Sequence, residues 1–410
     1  MRTTYVLLNL SDMQTLDINS KSVKAPFLHL GFRPFFMAAI IGAIVLIALW
    51  TGIYTMGWQL LPTAYPTITW HAHEMIFGYA AAVIIGFLLT AVKNWTGIQT
   101  IHHTPLLGLF FLWILARVLT FVSGERAIIA LAIIDSVFFL FAMLAYTYPV
   151  YKARQWNQLA FSGKLLFLFI GNVLFYLGVA GVVKNGAHYG LYIGLYTIVA
   201  TIFNMGRRII PFFIAKGLDE TFEPKNYRWV DVSSLWLFLS FSISDILAPY
   251  HWITAVLAAL LLVLHGARLY GWYHKGIWKK PLLWVLFVGY CWFTIAFILK
   301  VLSITLGLSP FLAIHAFAYG GIAIVTLGMM ARVTLGHTGR NVFDPPPVLI
   351  PIFSLLLAGA IVRVLLPLLF NSHYLFLVGL SQALWIAAYL LMAVVYVPML
   401  AKARIDGSYG

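Results

Sequence analysis

Two imidazoles separated by a single residue, in Trp70-His71-Ala72-His73-Glu74-Met75, are the most informative chemical feature of the sequence. Residues i and i+2 of a helix point about 200° apart, so His71 and His73 cannot close on one metal from one face as an i, i+4 pair does. They must look at two different neighbours. One ring can face His315 across a helical bundle, the separation of a bis-imidazole haem, while the other meets a second site or a hydrogen-bond partner. Glu74, three residues after His71, would accept that ring's second N–H, fix its tautomer and assist proton delivery. The plainer reading is a polar pair hydrogen-bonded at a membrane surface.

His188 and His315 each open a hydrophobic run, as the 71/73 pair does. An ionisable group at membrane depth is costly and marks a functional candidate by default. His29 and His337 stand at the other ends of such runs, and His265 about one turn inside one, where it could snorkel. His102, His103, His251, His274 and His373 fall in or beside loops. Three cations lie inside hydrophobic runs, Arg117, Lys300 and Arg363, against three carboxylates, Glu74, Asp135 and Asp245. Haem propionates would supply the missing negative charge, and direct pairing with the three carboxylates is the alternative. Arg33-Pro34-Phe35-Phe36 and Arg207-Arg208-Ile209-Ile210-Pro211-Phe212-Phe213 read as interfacial anchors or as guanidinium sites for a phosphate or another anion.

These residues must be carried by membrane helices. The chain has 410 residues, 62% of them hydrophobic and 9% charged, which excludes a soluble enzyme and a disordered chain. A bilayer core of about 30 Å needs roughly 20 apolar residues per helix. Twelve runs qualify, near 34–57, 68–92, 105–122, 126–149, 163–184, 187–206, 230–247, 250–271, 281–306, 311–334, 346–370 and 374–400. The expected division is a cytoplasmic tail over 1–33, a transmembrane domain over 34–400 and a second cytoplasmic tail over 401–410. With both termini inside, 21 of the 26 Lys and Arg fall on the cytoplasmic side. That asymmetry accounts for the net +14 and removes the case for a nucleic-acid partner. One cysteine, Cys291, excludes an internal disulfide and a thiolate zinc site. The sequence contains no phosphate-binding glycine loop and no HExxH.

The histidine-opened runs are four spans apart. From His73 the offsets +5, +13, +23 and +24 give Gly78, Gly86, Thr96 and Gly97, and from His315 they give Gly320, Gly328, Thr338 and Gly339. The run from His188 shares only its opening histidine and basic far end, so the reading is an all-α polytopic membrane protein with a threefold pseudo-repeat of four-helix units as its organising candidate.

Gly31-Phe32-Arg33-Pro34-Phe35-Phe36, the His71/His73 segment through Gly78, Gly206-Arg207-Arg208-Ile209-Ile210-Pro211-Phe212-Phe213 and Leu327-Gly328-Met329-Met330-Ala331-Arg332-Val333-Thr334-Leu335-Gly336-His337-Thr338-Gly339-Arg340 resemble, in order, the signature segments of the NnrS family. The resemblance implies a twelve-helix protein of the bacterial inner membrane. It further implies haem, one or more of the b type, together with copper, in nitric oxide metabolism and resistance to nitrosative stress. The family's motif histidines carry over onto His71, His73, His315 and His337; His188 enters through the repeat. By analogy, haem–copper oxidases and nitric oxide reductases also use twelve helices and an i, i+2 histidine pair. The seventh span here contains no histidine, unlike an oxidase copper site.

The leading functional expectation is a haem protein that binds nitric oxide or reduces it as a nitric oxide reductase-like oxidoreductase, with electrons from an unidentified donor. Metal ligands would be His71, His73, His315, His188 and His337, cofactor contacts would add Arg117, Arg363 and Lys300, and Glu74 would be the catalytic acid. The alternatives are a haem-free secondary transporter or channel, with the arginines holding an anionic substrate, and a chaperone passing haem or copper to other enzymes.

Overall fold

The structure, a computed structural model, describes residues 26–59, 66–122, 124–218 and 222–410. The expected N-terminal tail lies outside the described residues as far as residue 25. Long apolar runs fold as helices because only a helix satisfies its own backbone hydrogen bonds in lipid. The helices are α1 (Phe32–Met56), α2 (Thr67–Thr96), α3 (His103–Leu119), α4 (Glu125–Lys152), α5 (Leu159–Val179) and α6 (Gly186–Gly217). They continue as α7 (Arg228–Leu247), α8 (Trp252–Trp272), α9 (Pro281–Thr305), α10 (Pro310–His337), α11 (Leu349–Leu369) and α12 (Tyr374–Ala401). Among the described residues no strand occurs, and eleven helices are long and apolar enough to cross a membrane. The remaining one, α3, has 17 residues. The expected run at 105–122 stops at Leu119, where the chain turns through Thr120 and Phe121.

Successive helices pack side by side as hairpins, and the first also packs on the last, α1 against α12. Arg33, fully buried, ties that closure by donating from Nη1 to the Leu400 carbonyl at 2.8 Å and the Lys402 carbonyl at 2.6 Å. The basic end of the bundle, where α1 begins and α12 ends, lies opposite the histidine end, where α2, α6 and α10 begin.

α2 and α10 share irregularities that their sequence offsets anticipate. Each passes into π geometry one residue after a histidine, over Glu74–Ala80 and Ala316–Ala323. Such segments are uncommon and concentrate at functional sites. Gly86 lets α2 touch α1: a Cβ there would stand 2.7 Å from Phe35 Cβ. Gly328 does the same for α10 against α9, with Val285 Cγ1 at 2.7 Å. Gly97 and Gly339 end their helices at φ +71° and +79°, the left-handed region open to glycine. The expected third copy differs, because α6 is α-helical throughout and has no π segment after His188. The structural likeness joins α2 and α10.

Candidate functional site

At the histidine end, His71, His188, His315 and Arg363 line one cavity of about 440 Å³ between α1, α2, α6, α10, α11 and α12. Each ring is held by a neighbour. Trp50 stacks flat on His71, with ring centroids 4.4 Å apart and planes 7° from parallel. His315 donates from Nδ1 to the Phe311 carbonyl at 2.7 Å, which leaves the Nε2 lone pair free to accept. Arg363 donates to that nitrogen from Nη2 at 3.2 Å. His188 packs on Tyr192 at 4.5 Å.

The charge of this wall is one-sided. Among the described residues its lining contains no Asp or Glu, and Arg363 is its one Lys or Arg. Arg363 Nη1 is buried with no hydrogen-bond partner. A buried guanidinium nitrogen without an acceptor is costly, so the cavity suits an occupant that brings negative oxygens and an atom able to take an imidazole lone pair. Its volume falls in the range of cofactor and ligand sites, roughly 300–1,000 Å³.

For Arg117 and Lys300 the expected contact with haem propionates gives way to the alternative, direct pairing with the in-span carboxylates. Arg117 forms an ion pair with Glu74, Nε to Oε2 at 3.0 Å, and donates to Asp135 Oδ1 from Nη2 at 2.7 Å. Lys300 pairs with Asp245, which also accepts from the Tyr196 hydroxyl. Two of the three in-span carboxylates thus go to one arginine and the third to the lysine, leaving none for Arg363. Glu74 therefore does not serve His71. A cation attracts the carboxylate more strongly than a neutral N–H does, and α2 enters its π segment at Glu74, so the carboxylate turns onto α3.

His73 belongs to that second cluster and not to the cavity. It is fully buried, with Nδ1 3.2 Å from Glu74 Oε1 and Nε2 3.0 Å from Asn172 Oδ1. Both ring nitrogens are engaged by side-chain oxygens of this network. Tyr176 completes the cluster by donating to Asp135 Oδ2 at 3.1 Å. The i, i+2 expectation that the two rings look at different neighbours is met: His71 faces the cavity and His73 a polar network across α2, α3, α4 and α5.

His337 lies at the opposite end of α10 from His315, roughly 30 Å away by helical rise. There it packs on Phe32 at 5.5 Å, and its carbonyl accepts from Arg404 Nη1 at 3.2 Å. His29 stacks on Tyr409 at 4.4 Å nearby. His265 does not snorkel: it is fully buried, with Nδ1 2.8 Å from the Tyr290 hydroxyl. Among the described residues no group of three or more His, Cys, Asp or Glu side chains is placed to hold a metal ion. A copper ion with three such ligands therefore has no cradle in the described structure.

Several cavity residues escape the histidine-led reading, notably Trp50, Tyr79, Tyr319, Gln382 and Trp385. Tyr79 hydrogen-bonds Thr326 Oγ1 at 2.8 Å and the Tyr389 hydroxyl, and Tyr319 donates to the Ser381 carbonyl at 2.8 Å. Gln382, an amide inside a hydrophobic run, is a signal by which the sequence could have pointed to α12.

Among the described residues, fold and site together define an all-helical, multi-pass membrane protein with a histidine-lined cavity whose wall carries no Asp or Glu. The family model described as NnrS protein matches residues 26–404, and the chain belongs to the NnrS family. No curated protein matches the chain.

Proposed function

We propose that the cavity between His71 and His315 holds haem and that the protein binds nitric oxide there. One observation carries this reading: two imidazoles and a guanidinium lacking a carboxylate partner converge on a single acid-free cavity. The residues fit the group. His315 presents Nε2 with its tautomer set by the Phe311 carbonyl, Trp50 orients the His71 ring, and Arg363 has a donor free for a propionate. Haem iron held by imidazole supplies an atom that binds small neutral gases. His71 and His315 would hold it, one of the two giving way where nitric oxide binds, and Arg363 would leave His315 for the propionate.

Binding is favoured over reduction by where the acids lie. Reduction consumes protons, and Glu74, the expected donor, is engaged by Arg117 and His73 outside the cavity wall. The family resemblance supports nitrosative-stress resistance as the setting, as well as haem b and copper. Twelve spans, with α3 as the shortest, and a bacterial inner-membrane location with both termini cytoplasmic are the topology that the charge asymmetry supports.

The test is a reduced-minus-oxidised optical spectrum of the detergent-purified protein, with and without nitric oxide, alongside iron and copper quantitation. Sharp α and β bands that shift with nitric oxide are expected, and His71→Ala or His315→Ala removes them. Protein from haem-replete expression that carries neither haem nor iron would overturn the reading and turn Arg363 into the anion site of a transporter. Steady nitric oxide consumption with an electron donor would replace binding by reduction.

A further inference from the structure

A second cavity, about 60 Å³, lies between α2, α6 and α10 on the basic side of the first. The same three helices build both. Tyr79, Ile198 and Ile322 line the first, and Val83, Ile202 and Thr326, each four residues on, line the second. An i, i+4 step stays on one helical face, so the two are widenings of one seam. The Tyr79–Thr326 hydrogen bond stands between them as a partition.

The second wall is apolar in effect as well as composition. Its hydroxyls are already committed: Thr201 Oγ1 donates to the Thr197 carbonyl at 2.7 Å, and Thr326 Oγ1 donates to the Ile322 carbonyl at 2.7 Å and accepts from Tyr79. A water needs two to four polar partners, and no side chain here has a proton to spare. The space suits a small neutral apolar molecule and little else. Hydrophobic walls also fit the way such gases partition from lipid.

We propose that this second cavity is a holding site for small apolar gas molecules, which pass the Tyr79–Thr326 partition to reach the first cavity. That the gas is delivered to haem rests on the function proposed above; the holding site itself does not.

Xenon is the probe, because it reads apolar space without needing haem. The full-length protein in detergent and in nanodiscs is titrated with xenon by 129Xe NMR, and the site is located from methyl shifts of Met205 and Met329. A saturable site that shifts both methyls is expected, with loss of that signal in Ile202→Phe and, independently, in Val83→Leu, while the thermal unfolding midpoint holds. A haem-loaded sample adds a second readout: Thr326→Val removes the partition and speeds recombination of photolysed carbon monoxide, whereas Ile202→Phe slows it. No saturable xenon site overturns the proposal. Nuclear Overhauser contacts from lipid acyl chains to the two methyls, with xenon excluded in nanodiscs, also overturn it, making the space a lipid-tail groove. A xenon site in a protein that never takes up haem upholds the holding site and removes the haem reading alone.

Discussion

Arg363 Nη2 and His315 Nε2 meet at 3.2 Å, so the cavity's one guanidinium covers the one imidazole lone pair whose tautomer the backbone fixes. The contact is a placeholder arrangement: a ligand that takes the lone pair must displace the arginine, and negative oxygens on the same ligand would receive it. Arg363→Gln is therefore expected to lower the haem content recovered on purification and to shift the midpoint potential downward, because a nearby positive charge favours the reduced form. Arg363→Lys should restore part of both. Redox titration of the purified variants reads the order.

The two histidines of the i, i+2 pair are expected to separate experimentally. His71→Ala empties the cavity wall and should abolish the haem spectrum while unfolding stays close to that of the haem-free parent protein. His73→Ala should keep the spectrum and lower the unfolding temperature, because Glu74 and Asn172 lose a buried partner. Haem-to-protein ratio and thermal unfolding on the same preparations check both.

Asp135 is fully buried and shares Arg117 with Glu74. Removing one member of a buried ion pair leaves an uncompensated charge, at a cost of about 3–5 kcal/mol. Asp135→Ala leaves Arg117 its Glu74 partner and should destabilise by less than that. Arg117→Ala leaves two carboxylates facing each other and should cost at least as much, while the double variant should fall well short of the sum. Equilibrium unfolding in mixed detergent is the measurement.

At the basic end, residues 402–410 return to the bundle, with the Tyr409 ring stacked on His29 and its hydroxyl donating to the His29 carbonyl at 3.2 Å. Burial first, and Arg33 second, lower the His29 pKa from its ordinary 6.5. The tail supplies the burial under Tyr409, which lowers this pKa, and a backbone hydrogen bond at Gly410, which raises it; burial is the larger, so the docked state binds fewer protons than the undocked one. The contribution of His29 to docking is present above its undocked pKa and is lost as pH falls below it, by at most about 1.4 kcal/mol per unit. The Arg404–Asp406 pair does not follow, since its hydrogen bonds hold the Asp406 carboxyl below the ordinary carboxylate range. A spin label at Ser408→Cys, in a Cys291→Ala background, should grow mobile between pH 7 and pH 5. His29→Phe should remove that dependence.

Hydrophobic run length made the helices legible in the sequence, and α3 and α5 stop short of their expected runs, at Leu119 and Val179, because a helix end depends on a few turn residues. The shared cavity was legible in part for a similar reason: His71, His188, His315 and Arg363 all sit near the same end of their runs. Pairing across helices was not. The sequence leaves the partners of Arg117 and Lys300 open because nothing along the chain says that Glu74 and Asp135 share a neighbour, or that Asp245 meets α9. The π segments were hidden as well, since a residue accommodated within a helix leaves no break in hydropathy. What betrayed them indirectly was the matched glycine spacing after His73 and His315.

Those π segments also act as phase offsets. A π turn accommodates one residue more than the α-helical register needs, so the residues before it are rotated relative to those after it by the angle one residue subtends, about 100°. Deleting Ile76 from α2 would let Thr67–Thr96 run as an unbroken α-helix, with Gly86 still seated on α1 and His71 swung off the cavity. The histidine-bearing tip and the packed shaft of each helix can thus drift independently: one inserted or lost residue re-aims the ligand without repacking the bundle.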